Sequence, residues 1–214
     1  MKRETTTIKH LSEKQLQELF RSMQEYTLSM KYKDERSYKI AVRNEALFHT
    51  MYYCALRVTE TTNILLTSLN IKNKEIFCER KKNGINNTLH IIDPYTIKIL
   101  KKHMQLNKSH KFLFEVNKNP ISRKTVDFWI KFYCKLANIP ADLAHSHTLR
   151  HSRAIHLAEA GCDLKDLQYW LGHRDIKNTL IYFQFTTRQK LDLYKKLKKA
   201  RKKDELHSNY GEID

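Results

Sequence analysis

Glycine and proline are scarce in this chain, at four and three in 214 residues. They are the strongest interrupters of regular backbone. Their scarcity predicts helices joined by short connections, and with no internal repeat and no low-complexity linker the composition argues against a disordered chain. Cysteine is also sparse. Cys54, Cys78, Cys134 and Cys162 form no Cys-x-x-Cys pair and lie among apolar neighbours, which argues against a disulfide scaffold or a cysteine zinc finger and for reduced, packed thiols. No apolar run approaches the roughly 18 residues of a membrane span. The opening MKRETTTIKH has no apolar stretch behind its charges, so no signal peptide is expected and the implied location is the cytoplasm. Acidic residues are the last deficit: 23 Asp and Glu stand against 40 Lys and Arg, a formal charge of +17. That excess does not bear on the fold. It selects a polyanionic partner, nucleic acid ahead of an acidic membrane surface.

What is present reads as a mainly α chain with one small antiparallel β-ribbon, an α+β class. With 41% hydrophobic residues, a core can be buried. Residues 1–10 read as a flexible arm. Ser12 precedes Leu16, Leu19, Phe20 and Met23 at helical spacing, which predicts a capped helix over 13–30. Lys31 to Ser37 reads as a charged connection. Leu47, Met51 and Cys54 mark a second helix ending near Ala55, with a short one over 59–66. The period then changes. Leu69, Ile71 and Ile76–Cys78 suggest a strand, Asn83-Gly84 a tight turn and Leu89–Ile92 the returning strand. Asp93-Pro94 caps a helix over 94–106, and Ser122 caps another carrying Val126, Ile130 and Tyr133. Further helices are expected over 147–160, 163–171, 178–183 and 187–203.

Three separated segments carry candidate chemistry: Leu56-Arg57-Val58-Thr59-Glu60, His147-Thr148-Leu149-Arg150-His151, and Leu171-Gly172-His173 with Tyr182 nine residues beyond. Singly, each has an ordinary structural explanation. In order and spacing together, they resemble the catalytic domain of the tyrosine recombinases, the lambda-integrase family. The resemblance runs from about Leu11 to Thr187. Ala55 stands where that family usually has Gly, and Gln184 where many members have His; neither is a catalytic position.

The resemblance implies cleavage and rejoining of DNA through a 3′-phosphotyrosyl link, with no cofactor and no metal. Tyr182 is the implied nucleophile. A phenol with a pKa near 10 must be activated or lose its proton as it attacks. Arg57 and Arg150 are the implied clamp on the phosphorane, because guanidinium stays charged and grips phosphate oxygens in a fork. His173 is an implied donor to the same oxygens. His147 would bond the phosphate or accept the tyrosine proton. A lysine on the ribbon would protonate the leaving 5′-oxygen; Lys82 fits best by counting from the first strand, with adjacent Lys81 the alternative on the opposite face. His151 is expected to be structural. The spacing of His145, His147 and His151 is poor for convergence on a metal.

Candidate DNA contacts are Arg80 and Lys81 on the ribbon, Arg123 and Lys124 after Ser122, and Arg153 and Arg174 beside the two histidine boxes. The resemblance divides the chain into the arm, a catalytic domain over 11–186, and a basic helix and tail over 187–214. Seven of the nine residues from Lys195 to Lys203 are basic, and Leu191, Tyr194 and Leu197 leave an apolar stripe. Only 56 residues precede Arg57, so no separate N-terminal core-binding domain is expected. That is similar to the short recombinases that invert fimbrial promoters, and DNA inversion is the preferred outcome. The alternatives are an integrase or excision enzyme of a mobile element, or a catalytically idle DNA-binding protein on the same fold. The implied partners are double-stranded DNA in the bacterial nucleoid, three further copies of the chain on paired sites (a monomer when free) and accessory DNA-bending proteins.

Overall fold

A computed structural model describes residues 8–81 and 83–183, together with Lys195 and Lys198. Eight helices are described: α1 (Glu13–Lys31), α2 (Glu35–Tyr53), α3 (Val58–Thr62), α4 (Pro94–Asn107), α5 (Arg123–Leu136), α6 (Ser146–Glu159), α7 (Leu164–Leu171) and α8 (Lys177–Phe183). Strands β1 (Leu69–Asn70), β2 (Glu75–Cys78) and β3 (Asn87–His90) form an antiparallel sheet in the order β1-β2-β3, and β4 (Glu115–Val116) pairs with β5 (Asn119–Pro120). The mainly α architecture with small antiparallel sheets matches the expectation. The expected segment 187–203 lies outside the described residues apart from Lys195 and Lys198.

Capping sets most of the boundaries. Ser12 and Gln15 form a reciprocal capping box at α1, and the side chains of Asp34, Asp93, Ser122 and Asp163 accept backbone N–H groups at α2, α4, α5 and α7. Each such cap contributes roughly 1 kcal/mol. The Asp34 cap corrects the sequence reading of residues 31–37: α2 already begins at Glu35, so the connection is shorter. The helix expected over 59–66 stops at Thr62, followed by a 3-10 turn at Leu66–Ser68. The β4–β5 hairpin was not foreseen, because two-residue strands carry no readable period.

Helix α2 runs through the middle of the protein, buried continuously from Ala41 to Tyr52, and packs on α1, α4 and α6. Phe48, Met51, Leu19, Met23, Ile130 and Tyr133 belong to the large core cluster around it. A second, smaller cluster consists of Ala55, Ala154, Ile155, Ala158, Leu167, Leu171 and Tyr182. This nest between α6, α7 and α8 sets the position of the Tyr182 ring. The N-terminal segment is also tied in. Ile8 packs on the second cluster, and the Leu11 N–H donates to Ser152 Oγ at 2.8 Å. Residues 8–10 therefore do not form a loose arm. All four cysteines are free thiols, three of them buried. Among the described residues, no helix is long and apolar enough to cross a membrane.

Candidate active site

The site is built around one buried carboxylate. Glu60 lies in α3, one turn after Arg57, and its side chain is 1% exposed. Its oxygens accept from Arg57 Nη1 at 2.6 Å, the Arg57 backbone N–H at 3.0 Å, Arg80 Nη1 at 3.2 Å and the Lys81 backbone N–H at 3.3 Å. Arg150 Nη1 lies 3.5 Å away. Burial pushes the Glu60 pKa upward, but Arg150, Arg57 and Arg80 outweigh burial and hold it below the usual carboxylate value. Glu60 is therefore the shared counter-ion of three arginines. The sequence reading included Glu60 in its box but gave it no role; the i, i+3 spacing from Arg57 was the available signal.

Arg150 projects from α6 into this centre and is 3% exposed. It donates to the Ala55 carbonyl and to the Leu171 carbonyl, the latter at 2.9 Å, and its Nη2 lies 2.9 Å from His173 Nε2. Burial, and then the Arg57 charge, pull its pKa down to about 9, which leaves it cationic at neutral pH. Ala55 presents its carbonyl from the left-handed region, at φ 48°. That conformation explains why the resembling family usually has glycine at this position: only glycine adopts it without a steric cost.

His173 follows Gly172, which closes α7 at φ 64°. Its Nε2 accepts from Arg150, so its Nδ1–H donates to Thr179 Oγ1 at 2.9 Å. Burial, then Arg150 and Arg57, hold the ring neutral with a pKa of about 3. The Tyr182 side chain comes up from α8, and the residue is 2% exposed. Burial raises its pKa, while Arg150 and Arg57 pull the other way. Its hydroxyl lies 3.0 Å from His151 Nδ1. His147, one turn earlier on α6, is exposed, and its ring centroid is 6.3 Å from that of His151. The structure thus brings Arg57, Arg150, His173 and Tyr182 together. It adds Glu60, Thr179 and His151, the last of which had been expected to be structural.

The ribbon differs most from expectation. Asn83-Gly84 does not make a two-residue turn; β2 and β3 are joined by residues 79–86. Arg80, expected to touch DNA, has a fully buried side chain that also donates to Asn87 Oδ1 at 3.0 Å and the Trp170 carbonyl at 2.7 Å. The carboxylate and the carbonyl draw it inward, and the loop follows. The Ile85 N–H bonds the Gly172 carbonyl at 3.0 Å, so the loop docks on the turn that carries His173. A Cβ at Gly172 would meet Arg80 Nε at 2.6 Å, and one at Gly84 would meet the Gly172 carbonyl at 2.8 Å. The Lys81 ammonium pairs with Glu79 at 2.9 Å on the surface. Lys82 lies outside the described residues.

Arg153 is a second correction. It is buried and its guanidinium lies 5.4 Å from the ring centroids of both Tyr52 and Tyr53, so it is a packing residue rather than an exposed DNA contact. Arg123, Lys124 and Arg174 are exposed, Arg123 with Asp127 at 3.7 Å. Among the described residues, no group of three or more His, Cys, Asp or Glu converges as a metal site.

Comparison with known proteins agrees with this geometry. The profile of the Phage integrase family matches residues 9–189. The chain is 35% identical over 156 residues to a tyrosine recombinase of Thermosipho africanus, covering 73% of this chain and 54% of that protein. It is 33% identical over 168 residues to the tyrosine recombinase XerD of Halalkalibacterium halodurans, covering 72% and 53%. Among solved structures, the XerA recombinase superposes with a TM-score of 0.68 at 22% identity, covering 91% of this chain and 65% of that one. XerH in a post-cleavage complex with its difH substrate gives 0.71 at 20% identity, covering 86% and 52%. The chain spans about half the length of the curated relatives it matches. With its profile match over most of its length and its arginine, histidine and tyrosine boxes folded into one centre, the chain belongs to the phage integrase family.

Proposed function

We propose that this chain is a site-specific DNA recombinase that cuts and rejoins strands through a 3′-phosphotyrosyl intermediate on Tyr182. The observation that carries this reading is the placement of the Tyr182 hydroxyl beside a preformed cationic centre. Arg57 and Arg150 are held by Glu60 before any substrate arrives, so little reorganisation is needed when charge gathers on the non-bridging phosphate oxygens. Arg57, with its side chain 20% exposed, is the clamp member that reaches the surface. His173, neutral and oriented by Thr179, becomes a donor to the same oxygens once a phosphate's charge favours its protonation. A ribbon lysine, Lys82 or Lys81, protonates the leaving 5′-oxygen. The link conserves the bond energy, so rejoining needs no ATP.

The proposed partner is double-stranded DNA, contacted through Arg123, Lys124 and Arg174 and through the basic segment after Tyr182. XerH and the Tn1549 transposon integrase, two structural neighbours, were each solved bound to DNA. One tyrosine cuts one strand, so exchange between two duplexes needs four protomers, with DNA-bending proteins helping to pair the sites. We place the domain over 11–186, followed by the basic segment 187–214, and we place the protein on the nucleoid. Inversion remains the proposed outcome. It uses the same strand chemistry as excision or integration, and the relative orientation of the two sites separates them.

The test is covalent capture. A DNA duplex carrying inverted repeats from beside the coding sequence, nicked next to the cleavage point, is incubated with wild type and Tyr182→Phe and run on a denaturing gel. Wild type should form an adduct and Tyr182→Phe should bind without forming one. Binding by wild type with no adduct would support the idle DNA-binding protein. An adduct in Tyr182→Phe would move the nucleophile to another tyrosine.

A further inference from the structure

We propose that residues 8–11 form a latch that positions the nucleophile, with Ile8 as the positioning residue for Tyr182. The inference rests on Tyr182 being the nucleophile and goes beyond that reading. By sequence most of this segment belongs to a flexible arm, whereas the structure clips it to α6, the helix that carries Arg150. The Leu11 N–H donates to Ser152 Oγ at 2.8 Å, and the Leu11 carbonyl accepts from His156 Nε2 at 2.9 Å; both bonds are buried. Ser152 and His156 lie one turn apart on α6, 141 and 145 residues away from Leu11 in sequence.

Both residues of the clip are themselves locked. Ser152 Oγ gives its own hydrogen to the Thr148 carbonyl at 2.7 Å, which leaves its lone pairs to accept from Leu11. The His156 Nε2 hydrogen goes to the Leu11 carbonyl, so Nδ1 accepts from Tyr52 Oη at 2.8 Å. Burial holds this ring below the usual histidine pKa, in the neutral form that the two bonds need. A buried main-chain group left without a partner costs about 1–3 kcal/mol, so the pair of bonds fixes the register of the segment on α6. Beyond that anchor the segment reaches the second core. Leu11, 1% exposed, belongs to the large cluster, while Ile8, half-buried, packs on the small cluster that contains Tyr182. The His10 ring donates from Nδ1 to the Ile8 carbonyl at 3.0 Å, an i, i+2 bond that stiffens the stretch between them. The Lys9–Asp142 pair is 3.3 Å apart with both side chains more than half exposed, and adds little.

The small cluster has little apolar surface with which to hold the nucleophile. Helix α8 buries only Thr179 and Tyr182 of its seven residues, and a helix this short is held by packing rather than by its own propensity. Three of the seven buried members of the cluster, Ala55, Ala154 and Ala158, are alanines, so one added aliphatic side chain counts. The clamp arginine Arg150 is fixed to α6, and the Tyr182 hydroxyl must stay within reach of the phosphorus that the clamp holds. A misplacement of about 1 Å costs on the order of 10²-fold in rate. By registering Ile8 on α6, the latch sets the nest of Tyr182 in the same frame as Arg150.

The test is single-turnover cleavage of the nicked substrate by the full chain, at rising DNA concentration up to saturation. DNA affinity and urea unfolding are measured on the same variants. Ile8→Ala removes the contact and leaves the Leu11 clip and every residue of the centre in place. It should bind DNA as wild type does and, under conditions where it is fully folded, cleave about 10-fold or more slowly at saturation. Ile8→Leu keeps the aliphatic volume and should restore cleavage to within about threefold of wild type. A contact that only adds stability would lower the urea midpoint of Ile8→Ala and leave the rate of the folded protein unchanged. That outcome, or slow cleavage that recovers fully at saturating DNA, would overturn the proposal while leaving Tyr182 as nucleophile. If Ile8→Ala does not fold, Ile8→Val takes its place: slow cleavage at saturation supports the latch and a wild-type rate overturns it. A persistent adduct in Tyr182→Phe, run in parallel, would overturn both readings.

Discussion

Replacing Glu60 with glutamine removes one negative charge and leaves the side chain's size unchanged. In the wild type, the carboxylate accepts four hydrogen bonds, from Arg57 twice, from Arg80 and from the Lys81 backbone, with Arg150 at 3.5 Å. Glutamine offers one carbonyl oxygen in place of two acceptors, and its NH2 must face a donor. Three guanidiniums then share a buried space without their common counter-ion. Hydrogen bonds to charged groups contribute about 1.5–3 kcal/mol each, and breaking a buried ion pair costs about 3–5 kcal/mol. A loss of about 3 kcal/mol or more is therefore expected. With a urea slope of about 1–3 kcal/mol/M, this moves the unfolding midpoint by roughly 1–3 M. The pH dependence gives an independent check. The folded pKa of Glu60 lies below its unfolded value, so its contribution is complete above the unfolded carboxylate pKa and is lost as pH falls through the folded one. The gap between wild type and Glu60→Gln should hold steady from neutral pH down to about pH 5, above the ordinary Glu pKa, then narrow in stronger acid. A midpoint within about 0.3 M of wild type, or a gap that does not narrow in acid, would show that the charge of Glu60 does not hold the centre together.

Arg57→Ala should slow cleavage by about 10²–10³-fold at saturating DNA, as for loss of one transition-state donor, with only a modest change in urea midpoint because the side chain reaches the surface. Arg150→Ala should lose cleavage and also about 3–5 kcal/mol of stability, since the Ala55 and Leu171 carbonyls and Glu60 lose a shared partner; wild-type single-turnover rates in either variant would remove that arginine from the clamp. Gly172→Ala combines a left-handed φ with a Cβ 2.6 Å from Arg80 Nε, and should cost about 2 kcal/mol or more. The same change should loosen the ribbon loop, read as increased proteolysis within residues 79–86. Stability within about 0.5 kcal/mol of wild type would contradict the docking of that loop on the His173 turn.

Local chemistry made much of this protein legible from sequence alone. Ser12, Asp93 with Pro94, and Ser122 announce helix starts because a short polar side chain satisfies N–H groups that the helix itself cannot. The period-four stripes of α1 and α5 mark buried faces because the solvent boundary runs along the helix. The ordered boxes around Arg57, Arg150, His173 and Tyr182 named the centre that the fold assembles. Tertiary structure alone decided the direction in which each charged side chain faces. Arg80 and Arg153 look in sequence like any exposed basic residue. One is drawn inward by Glu60 and the Trp170 carbonyl, 20 and 90 residues away, and the other lies over Tyr52 and Tyr53 on α2. His151 lies on α6 beside Arg150, and nothing local says that it meets Tyr182, 31 residues on. The packing of α8 against α6 settles it, because an ion pair or hydrogen bond forms where a partner arrives from another segment, and that arrival is a property of the folded chain.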